Sequence, residues 1–165
     1  KWIRHEDRER GRLASSMRRM EAAGADRPGR DAGLRELRRL IVAIEADAAS
    51  EEGARRDAGR RLLTFVSSVG YERGVVAYQD DRLARAALFF EIALQAAPGS
   101  AGLHLRLATA QARLDRADDA LASLTRAVEL GLTDAGRLRD EPAFEALAAD
   151  ARFAALLARI EASPD

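Results

Sequence analysis

Residues 81–99 read Asp-Arg-Leu-Ala-Arg-Ala-Ala-Leu-Phe-Phe-Glu-Ile-Ala-Leu-Gln-Ala-Ala-Pro-Gly. Moved along by 34 positions, the same frame falls on residues 115–133, Asp-Arg-Ala-Asp-Asp-Ala-Leu-Ala-Ser-Leu-Thr-Arg-Ala-Val-Glu-Leu-Gly-Leu-Thr. Asp81-Arg82 lands on Asp115-Arg116, Ala86 on Ala120, Phe90 on Leu124, Ala93 on Ala127 and Leu94 on Val128. Upstream, Val69 lands on Leu103 and Gly74 on Ala108. A period of this length is one helix–turn–helix unit, repeated. The physical logic agrees. Ala86 and Ala120 let paired helices approach closely, Phe90 and Leu124 fill the space beside them, and Pro98-Gly99 and Gly131 end the helices.

Gly74, Ala86, Phe90, Ala93 and Pro98 match the small–small–aromatic–small–proline spacing of the tetratricopeptide repeat. Leu107, Ala108, Ala120, Leu124 and Ala127 stand at the matching places of a second unit. Across residues 67–134 the chain therefore resembles the tetratricopeptide family, with units at 67–100 and 101–134. It departs from the pattern in two ways. Gly70 and His104 stand where a large aromatic is usual, and the second unit has no terminal proline. A third unit fails, because Pro142 falls in the register of Gly74 and Ala108, where proline breaks the helical ladder.

Residues 135–165 have their own punctuation instead. Thr133 and Asp134 precede a short turn, Asp140 with Pro142 starts another, and Asp150 caps a last helix. Leu138, Phe144, Leu147, Phe153, Leu156, Leu157 and Ile160 supply its buried surface. The runs at 140–147 and 150–157 resemble the closing segment of many bacterial tetratricopeptide proteins, and a stack needs such a cap over its last apolar face. The resemblance implies an all-α fold: a right-handed α-solenoid of antiparallel helix pairs, with an N-terminal helical extension and short capping helices.

The resemblance does not reach residues 1–66. Residues 2–23 predict a polar helix with a thin apolar stripe of Ile3, Leu13, Met17 and Met20, stopped by Gly24. The stretch 24–29, Gly-Ala-Asp-Arg-Pro-Gly, predicts a loop. Asp31 is expected to cap a second helix carrying Leu34, Leu37, Leu40, Ile41 and Ile44 at helical spacing. Ser50-Glu51-Glu52 predicts the next helix start. Residues 54–79 predict one long helix or two abutting ones, with Leu62, Phe65, Val66, Val69 and Tyr71 as apolar members. Gly70 and Gly74, four apart, predict a close helix approach. The stripe from Leu34 to Ile44 is too apolar for a free linker, so this region is expected to pack on the first repeat, the alternative being a connector to another domain.

Composition narrows the function classes. The 165 residues hold 27 basic and 27 acidic groups, a formal charge of zero, which gives no basis for nucleic-acid or anionic-membrane binding. Alanine (36) and arginine (26, against Lys1 alone) dominate, and alanine, leucine, arginine and glutamate are strong helix formers. The arginine excess also fits coding by a GC-rich bacterial genome. Cysteine is absent, which removes disulfides and thiolate chemistry and leaves the compartment open, a cytoplasmic setting being favoured over a periplasmic or secreted one. No apolar run approaches the roughly 20 residues of a membrane helix. The chain opens on Lys1, so a processed or excised segment is expected, and an upstream signal, anchor or catalytic domain stays open.

Catalysis is not expected. The two histidines, His5 and His104, are far apart, so no metal site is expected. Ser15-Ser16 and Ser67-Ser68 lie in helices without a nucleophile elbow, and no phosphate-cradling glycine loop or other cofactor motif is present. The resemblance instead implies a concave groove lined by the first helix of each unit, holding a partner's peptide or helix. Its candidate residues are Tyr71, Glu72, Val75, Tyr78 and Gln79 in the first unit. In the second they are Leu105, Arg106, Thr109, Ala112 and Arg113. Tyrosine and arginine suit interface anchors. Chaperone-binding members hold a terminal carboxylate with lysines and asparagines; this chain has no asparagine and one lysine, which disfavours that role. Arg106 and Arg113 still suit an acidic partner. The competing expectations are a C-terminal appendage of a larger, possibly secreted or membrane-tethered bacterial hydrolase, and self-association as a homodimer through the stripe of residues 2–23.

Overall fold

The computed structural model describes residues 2–23 and 27–162, and among them all regular structure is helical. The order is α1 (Trp2–Ala23), α2 (Arg27–Ala48), α3 (Gly53–Gln79), α4 (Leu83–Ala96), α5 (Ala101–Arg113), α6 (Ala117–Glu129) and α7 (Ala135–Asp140). A 3₁₀ helix (Pro142–Leu147) and α8 (Ala151–Glu161) follow. From α1 to α6 each helix packs on its neighbour in sequence, α1 also reaches α3, and α6 meets α8.

Helices α3 and α4 run antiparallel and approach closely. A β-carbon on Gly70 would lie 2.8 Å from the Ala93 nitrogen and 2.8 Å from the Phe89 carbonyl oxygen. One on Gly74 would lie 2.5 Å from the Phe90 ring. The absent side chains let the two backbones touch at Gly70 and make room for the Phe90 ring at Gly74. Their combined cost of about 2 kcal/mol in helix propensity is offset by that contact.

The turns 34 residues apart have one geometry. Asp81 and Asp115 both sit at φ 58°, in the left-handed region that aspartate tolerates better than most residues. In the first turn the Arg82 N–H donates to Ala77 O at 2.8 Å, and in the second Arg116 N–H donates to Gln111 O at 3.0 Å. Both are the 6→1 bond of a Schellman closure. The end of α6 repeats the device with Gly131 (φ 97°) and Leu132 N–H donating to Ala127 O at 3.0 Å.

Three apolar clusters follow one another along the chain. Leu13, Met17, Met20, Leu37, Ile44 and Leu62 pack with Phe89. Ala77, Ala86, Phe90 and Ala93 pack with Leu103 and Leu107. Leu105 and Leu124 pack with Leu138, Phe144, Leu147 and Phe153. Helix α4 faces two of these at once, giving Leu88, Phe89 and Ile92 to the first and Ala86, Phe90 and Ala93 to the second. In the third, the Phe144 and Phe153 rings lie 6.0 Å apart, so residues 135–161 close over α5 and α6.

Several expectations shift. Helix α2 begins at Arg27, so Pro28 and Gly29 lie in its first turn, not in a loop, and Asp31 is inside it. Proline fits there because its fixed φ is helical and a first-turn N–H needs no partner. Residues 24–26 of the expected loop, and Gly24 as a stop, lie outside the described residues. Helix α3 starts at Gly53, after Ser50 Oγ accepts a hydrogen bond from Glu52 N–H at 3.2 Å. It then runs unbroken through residues 66 and 67, so the N-terminal region and the first 34-residue unit share a helix. Glu141, not Asp140, caps the 3₁₀ helix, while Asp134 and Asp150 cap α7 and α8. Ile3 is 76% exposed, but Leu13, Met17 and Met20 are covered by α2 and α3 within the protomer.

Candidate functional site

Two cavities adjoin between α3 and α5. One, of about 280 Å³, is lined by Val75, Tyr78 and Gln79 from α3, Phe90 from α4, and Arg106 and Thr109 from α5. The other, of about 450 Å³, is lined by Ser67, Ser68 and Tyr71 from α3, Leu105 and Arg106 from α5, and Arg137 from α7, among others. Arg106 borders both and joins them into one groove.

Helical phase explains the set. Tyr71, Val75 and Tyr78 are spaced by four and three, and Arg106 and Thr109 by three, so each group shares a helix face. Within the groove the residues differ in availability. Leu105 is buried and belongs to the third cluster. Thr109 is also buried and donates its hydroxyl to Leu105 O at 2.9 Å. Tyr71, Gln79 and Arg106 are exposed, and Val75 and Tyr78 half-buried.

Three expected groove residues are placed otherwise, Ala112 being buried in the third cluster and bordering neither cavity. Glu72 lies on the other flank of α3, beside Arg73, Val76 and Phe89, in a separate cavity of about 300 Å³. One residue is a rotation of about 100° on a helix, enough to carry Glu72 away from the face of Tyr71 and Val75. Arg113 borders neither groove cavity. Its guanidinium stacks 4.9 Å above the Tyr78 ring and pairs with Asp81 at 2.5 Å. The Tyr78 hydroxyl first, and the Asp81 carboxylate behind it, hold that guanidinium above its ordinary pKa. Arg113 therefore clamps the first turn to the second unit.

Compared with family models, curated proteins and solved structures, the chain matches none.

Among the described residues no group of three or more His, Asp or Glu is placed to hold a metal ion. His5 Nε2 lies 3.0 Å from Asp47, and His104 Nε2 lies 3.1 Å from the Pro98 carbonyl oxygen. No described helix is long and apolar enough to cross a membrane. Sequence reasoning missed Ser67, Ser68 and Arg137 as groove residues. The two serines lie seven and eight residues, about two turns, before Val75 on α3, a spacing that would have found them. Arg137 had no such signal, because it comes from the capping segment and reaches the groove only through the tertiary fold.

Proposed function

We propose that this chain is a non-catalytic protein–protein interaction module, a tetratricopeptide-like scaffold that holds a partner's peptide or helix in the α3–α5 groove. The observation that carries this reading is the convergence of Val75, Tyr78, Gln79, Arg106 and Thr109, from two helices one repeat apart, on one cavity. The matching turns at Asp81 and Asp115 support it, because equal turns give the pairs α3–α4 and α5–α6 the same closure, as a repeated unit requires. The groove also combines the chemistry that interfaces favour: half-buried tyrosine, an arginine, and an apolar floor.

The test uses peptides selected on the intact chain from a random display library. Tyr78→Ala combined with Arg106→Ala is expected to weaken them about tenfold or more, with helicity retained. Val42→Ala, on the exposed surface of α2, is expected to leave their affinity unchanged. Selected peptides that bind the double variant as well as the parent chain show that the partner surface lies elsewhere.

A further inference from the structure

We propose that the larger groove cavity is an anion site that takes the acidic side chains of an internal Asp/Glu-rich segment of the partner. This rests on the interaction reading above and adds the chemistry of the ligand. Arg106 reaches the cavity from α5 and Arg137 from α7, and no carboxylate lines it. Neither guanidinium has an ion-pair partner among the described residues. Two other exposed cavities mix charges instead. Glu72 and Asp80 face Arg73, Arg82 and Arg85 in one, and Glu141 and Glu145 accompany Arg139 in another.

Two guanidiniums held on separate helices present two forks of parallel N–H donors, the geometry that matches two carboxylates. The hydroxyls of Ser67, Ser68 and Tyr71 add donors on the opposite wall, and Leu103, Leu105 and Leu132 form low-dielectric walls beside them. A single chain-terminal carboxylate would leave one guanidinium unmatched, whereas neighbouring acidic side chains satisfy both. The smaller cavity across Arg106 then receives an apolar side chain of the same segment, against Val75, Tyr78 and Phe90.

The experiment measures fluorescence anisotropy of labelled twelve-residue peptides, blocked at both ends, alternating glutamate with alanine or leucine. A glutamine-for-glutamate counterpart and the same counterpart with a free C-terminal carboxylate complete the set. The glutamate peptide is expected to bind, more weakly with added salt, and both glutamine peptides to bind about tenfold worse or less. Arg106→Gln and Arg137→Gln are each expected to cost about tenfold, whereas Arg139→Gln, whose guanidinium pairs with Glu161, leaves affinity unchanged. Equal losses at all three arginines, or equal binding of the blocked glutamine peptide, would overturn the site. Preference for the free-carboxylate peptide would do so as well. Display-selected peptides that depend on Tyr78 yet tolerate both Arg106→Gln and Arg137→Gln would overturn the acidic site and leave the groove. Loss of every peptide, selected or designed, would overturn both.

Discussion

The N-terminal helices and those from α4 to α6 share apolar packing but bury different polar groups. Around α1, α2 and the first half of α3, nearly buried carboxylates are ringed by arginines. Glu6 accepts from Arg61 and Arg10, both at 2.8 Å, Asp47 accepts from Arg55 at 2.6 Å with His5 at 3.0 Å, and Glu9 accepts from Arg12 at 3.0 Å. From the second half of α3 to α6 the buried polar groups are neutral. There Ser123 donates to Gln111 at 2.7 Å, and Thr109 to its own helix. Close contact of Gly70, Gly74, Ala86, Phe90 and Ala93 does the rest. The first region adds charge to an apolar core of its own, Leu13 to Leu62, and so gains a pH dependence; the second relies on shape and depends on volume.

The largest expected effect tests the shape side. Phe90 is 1% exposed and fills the space that Gly74 leaves, so Phe90→Ala should cost about 3–5 kcal/mol in urea unfolding, nearly independent of pH between 4 and 7. A loss under about 1 kcal/mol would mean that α3 and α4 collapse to refill the cavity.

The charge side should respond to acid. The hydrogen bond from Arg61 is the main reason that the Glu6 carboxyl lies below the usual glutamate range, with burial opposing it. For Asp47, burial pushes the carboxyl up, but hydrogen bonds from Arg55 and His5 outweigh it and leave it lowered. A carboxyl depressed in the folded state contributes stability above its unfolded value, about 4, and loses it as pH falls through the folded value. Glu6→Gln is therefore expected to cost about 1–2 kcal/mol near pH 7, less than a fully buried pair because Arg61 stays half in water. Trp2, the sole tryptophan, lies beside Arg55 and His5 and reports on this region by its fluorescence. Glu6→Gln with Asp47→Asn should flatten the acid limb of its unfolding curve. If parent and variant acid limbs superimpose, these carboxylates do not anchor α1.

The smallest effect asks whether the two units are equivalent. Asp81→Ala and Asp115→Ala should each cost about 1 kcal/mol, because alanine resists the left-handed region, while Asp→Gly at either site should be neutral or slightly stabilising. Asp81 also pairs with Arg113, and a markedly larger loss at Asp81 than at Asp115 would measure that clamp.

The helices and the paired turns were legible in the sequence because the residues that allow close approach, Gly74, Ala86, Ala93 and their counterparts, are chemically small and periodically placed. The groove was partly legible, since helical phase brings Tyr71, Val75 and Tyr78 to one face, but a one-residue step misplaced Glu72. Arg113 was identified as a groove cation because nothing local marks its partner, Asp81, 32 residues away. The anchoring of α1 was invisible for the same reason: Glu6 meets Arg61 across 55 residues, and His5 meets Asp47 across 42. Proline at 28 misled because a helix breaker and a first-turn residue are the same amino acid in different places.

Helix α3 extends 27 residues without a break, roughly 40 Å at 1.5 Å per residue. Its first half is gripped by α1 and α2, and its second half supplies Tyr71, Val75, Tyr78 and Gln79 to the groove. Helix α4 holds that second half as well, against backbone at Gly70 and against the Phe90 ring at Gly74. The helix is therefore a beam shared by two packings and fixed along both halves, which ties the groove wall to the N-terminal helices as one piece.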